Sequence, residues 1–172
     1  MAEFTSTVAW QRNGQSFADQ RYSRAHEWIF DGGLHVPASS SPLSVPLPMS
    51  VAANVDPEEA LVAAASSCHM LFFLSIAAQR GFVVDDYRDQ AVGILERNAE
   101  GKIAMTRISL RPAITFAGKA PDAGELDAIH HAAHDKCYIA NSVKTEIVVE
   151  AALGRCTHLP ISTRRASTSC RR

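Results

Sequence analysis

Two cysteines set the chemistry open to this chain. Cys68 lies between Ser67 and His69, and Cys137 follows 69 residues later, just after His130, His131 and His134. A thiolate is a strong nucleophile and a thiol a poor one, so a reactive cysteine needs a nearby cation or donor set that lowers an ordinary pKa of about 8.5. The plain alternative for Cys68 is a small buried hydrophobe, the usual role of a free cysteine. His130, His134 and Cys137 are spaced i, i+4 and i+7 on one helical face, with His69 beside Cys68, which allows a Zn²⁺ or other metal site. More commonly such histidines sit at a subunit interface or hydrogen-bond near a thiol, where His134 assists Cys137.

The element that must carry Cys68 is well marked. Asp56 is a good N-cap, Pro57 suits the first helical position, and Glu58 and Glu59 place negative charge where the helix end has unpaired N–H groups. From Ala60 to Ala78 nothing is charged, and Gly81 after Arg80 is a natural stop. The run is long enough for a membrane span, but Ser66, Ser67, His69 and Ser75 interrupt it and six of its residues are alanine, so the reading is a core helix. Glu58 and Cys68, ten residues apart, are separated on a straight helix by about 15 Å and some 80°. One helix cannot bring them together.

The rest of the chain reads as strands and one further helix. Phe4 to Trp10 and Gln15 to Ser23 read as a hairpin about Asn13-Gly14, and Arg24 to Phe30 as a third strand closing at Asp31-Gly32-Gly33. Residues 37 to 50 hold four prolines among serines and read as a long loop, with a pocket rim as one possible role. Val83 to Glu96 and Lys102 to Phe116 read as a second hairpin, with a bulge among Ile103, Met105, Ile108 and Leu110. Leu126, Ile129, Ala133 and Cys137 give helical spacing after Pro121 and Asp122, and Lys144 to Ala151 makes the last strand. The expected class is α+β with segregated helices and sheets.

At 172 residues, 47% hydrophobic and 20% charged, one globular domain over residues 1 to 153 is expected. Residues 154 to 172 carry five arginines and no acid and are expected to form a disordered tail, while residues 1 to 153 hold 12 bases against 18 acids. So acidic a body argues against nucleic-acid binding. The four cysteines, with Cys156 and Cys170 in the tail, lack the density of a disulfide framework, and the N-terminus shows no signal peptide, so a cytoplasmic location is expected.

Asp56-Pro57-Glu58-Glu59, an alanine-rich turn and Ser67-Cys68 resemble the Asn-Pro-Glu-(Glu/Gln)-Leu…Ala-Cys helix of the OsmC/Ohr family of thiol peroxidases, and Cys137 falls where that family carries its second cysteine. The resemblance covers roughly residues 4 to 152. It departs at Asp56, where Asn is usual, and at Cys137-Tyr138-Ile139-Ala140-Asn141-Ser142, where Cys-Pro-(Val/Tyr)-Ser is common. It implies an OsmC-like intertwined homodimer with two antiparallel sheets around long central helices. It also implies a cofactor-free antioxidant peroxidase active in oxidative stress: Cys68 attacks an organic hydroperoxide, Cys137 resolves the sulfenic acid as a disulfide, and a lipoyl-protein or thioredoxin-like dithiol reduces it. An N-terminal arginine held by Glu58 activates the thiol, with Arg12 and Arg24 as candidates and Glu58 serving the partner's thiol. Leu71, Phe72 and Phe73 then favour organic over hydrogen peroxide. A redox sensor or ligand-binding homologue without turnover is the alternative, and a His/Cys metal-binding protein a further one.

Overall fold

The structure, a computed structural model, describes residues 1–150. The expected tail, with Cys156 and Cys170, lies outside the described residues. The elements are β1 (Ser6–Ala9), β2 (His26–Phe30), β3 (His35–Ala38), α1 (Pro57–Gln79), β4 (Val83–Asp89), β5 (Val92–Arg97), β6 (Ile103–Leu110), β7 (Pro112–Ala117), α2 (Ala123–Lys136) and β8 (Glu146–Val149), with a short 3₁₀ turn at Ala140–Ser142 before β8. The class is α+β, as expected.

Both helices start where the sequence places them. Asp56 accepts the Glu59 N–H and Glu59 reaches back to the Asp56 N–H, a reciprocal capping box that Asp122 and Glu125 repeat for α2. α1 ends at Arg80 with Gly81 at φ +80°, a conformation that costs glycine little. α1 is long and apolar enough, by length and composition, to cross a membrane. Here it turns Ala65, His69, Phe73, Ile76 and Ala77 inward. Phe73, Ile76 and Ala77 join Phe82, Ile129 and Ala133 in one core cluster; Ala65 joins Ile108, Leu110 and Ile147 in a second. The opposite side of α1 leaves Ala63, Ser67, Leu71, Ser75 and Ala78 exposed.

Two expectations about the strands need correction. The Asn13-Gly14 turn forms, with both residues at positive φ, yet residues 15 to 23 do not return as a strand. β1 pairs instead with β2, from Ser6 opposite Phe30 to Ala9 opposite Glu27, and β2 pairs with β3. The physical reason lies in Trp10, Phe17 and Tyr22, whose rings close on one another 4.6 to 6.0 Å apart and fold the intervening segment into an aromatic knot. The second hairpin does form about residues 98 to 101, but it breaks in the middle. β5 and β6 pair in one sheet and β4 and β7 in another. Asp89 sits at the break, accepting the Arg111 N–H at 2.6 Å and the Ser66 hydroxyl of α1 at 2.6 Å. The expected bulge is present, with Thr106 the extra residue where Ile94 pairs with Arg107 and Leu95 with Met105. The strands within one chain thus form three sheets, and β8 joins β6 in parallel.

Candidate functional site

α1 and the C-terminal end of α2 bring the two described cysteines together. Both are free, Cys68 half-buried and Cys137 buried. Cys137 caps α2, its N–H bonded to the His134 carbonyl at 3.1 Å and its sulfur accepting the Ala140 N–H at 3.4 Å. Asn141 clamps the same corner, its amide donating to the carbonyls of Asp135 and Cys137 at 2.9 and 3.0 Å. Burial pushes the Cys137 thiol up from its ordinary value; the Ala140 N–H opposes that shift, and the adjoining Cys68 sulfur adds to it. The two sulfurs are therefore neighbours. Phe72, one turn beyond Cys68, meets Tyr138 edge-on at 5.2 Å, so an aromatic pair flanks the thiols.

Deeper between the two helices lies a pair that spacing alone does not suggest. His69 and His130 are 1% and 3% exposed, and His69 Nε2 lies 3.0 Å from His130 Nδ1. Desolvation pushes both pKa values down to about 4, so both rings are neutral at ordinary pH. Two neutral imidazoles can share one proton, and the outer nitrogens, His69 Nδ1 and His130 Nε2, have no hydrogen-bond partner. The helical face expected for His130, His134 and Cys137 is real, but the three do not converge. His130 faces α1, and the exposed His131 bonds the Asp127 carbonyl. Among the described residues no group of three or more His, Cys, Asp or Glu side chains is arranged to hold a metal ion. The available signals for the pair were His69 within an apolar run and His130 beside Ile129 and Ala133 on the apolar face of α2.

The candidate arginines separate clearly. Arg12 is exposed and donates to the Gln15 carbonyl at 2.9 Å, stapling its own turn. Arg24 is half-buried, stacks 3.8 Å above the Tyr22 ring and donates to the carbonyls of Gln20 and Tyr22. With Trp10, Phe17, Tyr22, Ser40 and Pro57 it lines a cavity of about 430 Å³ that opens by the start of α1. Ser40 Oγ in that wall is buried without a partner. Glu58 lines a different cavity, of about 780 Å³, with Asp56, Glu59, Ser66, Tyr87 and Asp89, and its Oε2 is buried and unpaired. Cys68 lines neither cavity. α1 runs unbroken from Pro57 to Gln79, so within one chain Glu58 and Cys68 stay apart.

The family model described as OsmC-like protein matches residues 51–152. The chain belongs to the OsmC-like family. It is 53% identical to an OsmC-like protein of unknown function from Vibrio cholerae, over 88% of this chain and all of that one, with a TM-score of 0.86. Two more distant OsmC-like structures share the fold. One is an organic hydroperoxide resistance protein from Legionella pneumophila, at 15% identity, TM-score 0.62 and coverage of 88% and 96% of the two chains. The other is the organic hydroperoxide resistance protein OhrB of Bacillus subtilis, at 17%, 0.58, and 87% and 98%. No curated protein matches the chain significantly. Sequence reasoning missed Trp10, Phe17 and Tyr22, which line the aromatic cavity of this OsmC-like protein, because it assigned that segment to strands, while Ser40 lies in the proline-rich loop read as a possible pocket rim.

Proposed function

We propose that this OsmC-like protein is a cysteine-based peroxidase that reduces organic hydroperoxides. The observation that carries the reading is the buried Cys137 thiol lying against the more accessible Cys68. In the first step the Cys68 thiolate attacks the distal peroxide oxygen; the O–O bond breaks, an alkoxide leaves and takes up a proton, and Cys68 becomes a sulfenic acid. In the second step Cys137 attacks that sulfur, forming the Cys68–Cys137 disulfide and releasing water. An external dithiol, lipoyl-bound or thioredoxin-like, then reduces the disulfide by exchange, its own two sulfurs becoming a disulfide. The burial that raises the Cys137 thiol makes it the less ready nucleophile, which suits a resolving rather than an attacking role.

The guanidinium for Cys68 comes, in this reading, from Arg24 of a second copy of the chain, with Glu58 as its counter-ion. Three features support a homodimer of this kind: the unpaired Glu58 oxygen, the exposed small and apolar face of α1, and the distance along α1 between Glu58 and Cys68. Cytoplasmic placement is proposed with it. The test follows consumption of cumene hydroperoxide in the presence of dihydrolipoamide. Wild type turns over, Cys68→Ser does not react, and Cys137→Ser reacts once and stalls. Wild-type protein that consumes no hydroperoxide with either lipoyl or thioredoxin reductants overturns the proposal. A ligand-binding role without turnover is favoured by one observation, the aromatic cavity that Arg24 shares with no cysteine, and oxidation without turnover would select it.

A further inference from the structure

Among the described residues, one hydrogen bond between fully buried side chains ties α1 to α2, the one between His69 and His130. Around it the contact is mainly apolar, Phe73, Ile76 and Ala77 from α1 against Ile129 and Ala133 from α2, with the Cys68 and Cys137 thiols adjoining at one edge. Apolar contact is non-directional and tolerates a slide or a small rotation, whereas a 3.0 Å bond between two buried rings does not. Position matters here because His69 directly follows Cys68, and His130 lies two turns before Cys137 on α2. A disulfide requires sulfurs about 2.05 Å apart and Cα atoms within about 7 Å, and one residue of helix slide moves a side chain by about 1.5 Å.

We propose that the His69–His130 hydrogen bond is the positioning device that keeps Cys137 within bonding reach of Cys68, so that the two imidazoles set the effective concentration of one thiol at the other. The inference rests on reading the cysteines as a disulfide-forming pair, but it does not need peroxide chemistry. The rings themselves touch no reacting atom. Their exclusion from solvent fits this role: at 1% and 3% exposure neither can exchange its partner for water without opening the helix contact, and loss of one ring strands the nitrogen of the other. By thermodynamic reciprocity, whatever the hydrogen bond does for the disulfide, the disulfide must do for the hydrogen bond.

The experiment equilibrates the full chain in mixtures of reduced and oxidised glutathione. The Cys68 thiolate attacks oxidised glutathione and expels one reduced glutathione; Cys137 then attacks the Cys68 sulfur of the mixed disulfide and expels the second. His130→Leu is expected to lower the equilibrium constant for the protein disulfide at least tenfold. The pair His69→Gln with His130→Asn, which places an amide N–H at Nε2 and a carbonyl oxygen at Nδ1, is expected to restore it to within about threefold of wild type. A folded His130→Leu protein with an unchanged constant overturns the proposal, as does a folded paired variant no better than His130→Leu. Wild type supplies an arm independent of any substitution. The shared imidazole proton, followed by NMR, is expected to exchange with solvent at least tenfold more slowly in the oxidised than in the reduced protein, and equal exchange in the two states overturns the proposal. Failure of hydroperoxide turnover would remove the peroxidase reading and leave these glutathione and exchange measurements standing; their failure would leave the peroxidase reading intact.

Discussion

At the scale of single residues, the two candidate arginines have opposite fates. Arg12 is exposed and bonded to its own turn, while Arg24 is half-buried in the wall of a cavity lined by aromatic rings. Arg24→Ala is therefore expected to lower kcat/KM for cumene hydroperoxide at least 100-fold, about 2.7 kcal/mol of lost transition-state stabilisation, and Arg12→Ala to change it less than threefold; steady-state kinetics of both variants checks this. Gly93 makes a different demand. A Cβ there would lie 2.6 Å from Met105 Sδ and 2.6 Å from Val62 Cγ2, so Gly93→Ala should cost about 1–3 kcal/mol by urea unfolding as the Met105 and Val62 side chains are displaced. Sequence made Cys68, Cys137 and Glu58 visible because motif and spacing mark them. It could not reveal that His69 and His130 meet, since residues 61 positions apart touch only through the tertiary packing of two helices.

At the scale of elements, the helices were legible because their ends are written in local chemistry: a capping box at each start and a glycine after α1. Asp56 is buried as well as capping, so Asp56→Ala is expected to cost about 1–2 kcal/mol by denaturant unfolding. The strands were less legible. The break in the long ribbon depends on Asp89 reaching Ser66 of α1 and the Arg111 amide, contacts that no alternation of side chains encodes. The α1–α2 contact also carries a pH dependence. His69 and His130 titrate near 4 when folded and near 6.5 when unfolded, so between those values the unfolded chain binds more protons. The stability contributed by keeping them neutral is complete above pH 6.5 and is lost as the pH falls toward 4. Around His130 stand Asp127 and His131 of α2 and Asp89 of β4, and around His69 stands His134; the two aspartates favour protonation and the two histidines oppose it. Urea midpoints are expected to fall steeply between pH 6.5 and 4, by about 2–3 kcal/mol in stability, and the paired His69→Gln, His130→Asn variant to flatten that part of the curve.

At the scale of the whole molecule, the N-terminal sheet stands out for how little it buries. Every residue of β1 is exposed, with Val8 at 64%, and Leu34 in the β2–β3 turn is 62% exposed. Apolar side chains left in water on one sheet mark an interaction surface, which is why a second copy is the proposed cover. Light scattering at micromolar concentration is expected to give twice the chain mass, and Leu71→Glu, on the exposed side of α1, to shift the population toward monomer. The overall class was legible from the order of strands and helices, but the arrangement of three sheets was not, because β6 and β8 pair across the whole of α2.

The unbroken axis of α1 has a genetic corollary. If Glu58 and Arg24 serve the thiol of the other subunit, two inactive variants should rescue each other. Mixing denatured Cys68→Ser and Arg24→Ala chains in equal amounts and refolding them together would yield hybrids in which one composite centre is intact, returning about one quarter of wild-type activity from two dead parents. Centres confined to single chains would give no such complementation, so a mixing ratio reads out which polypeptide lends the guanidinium.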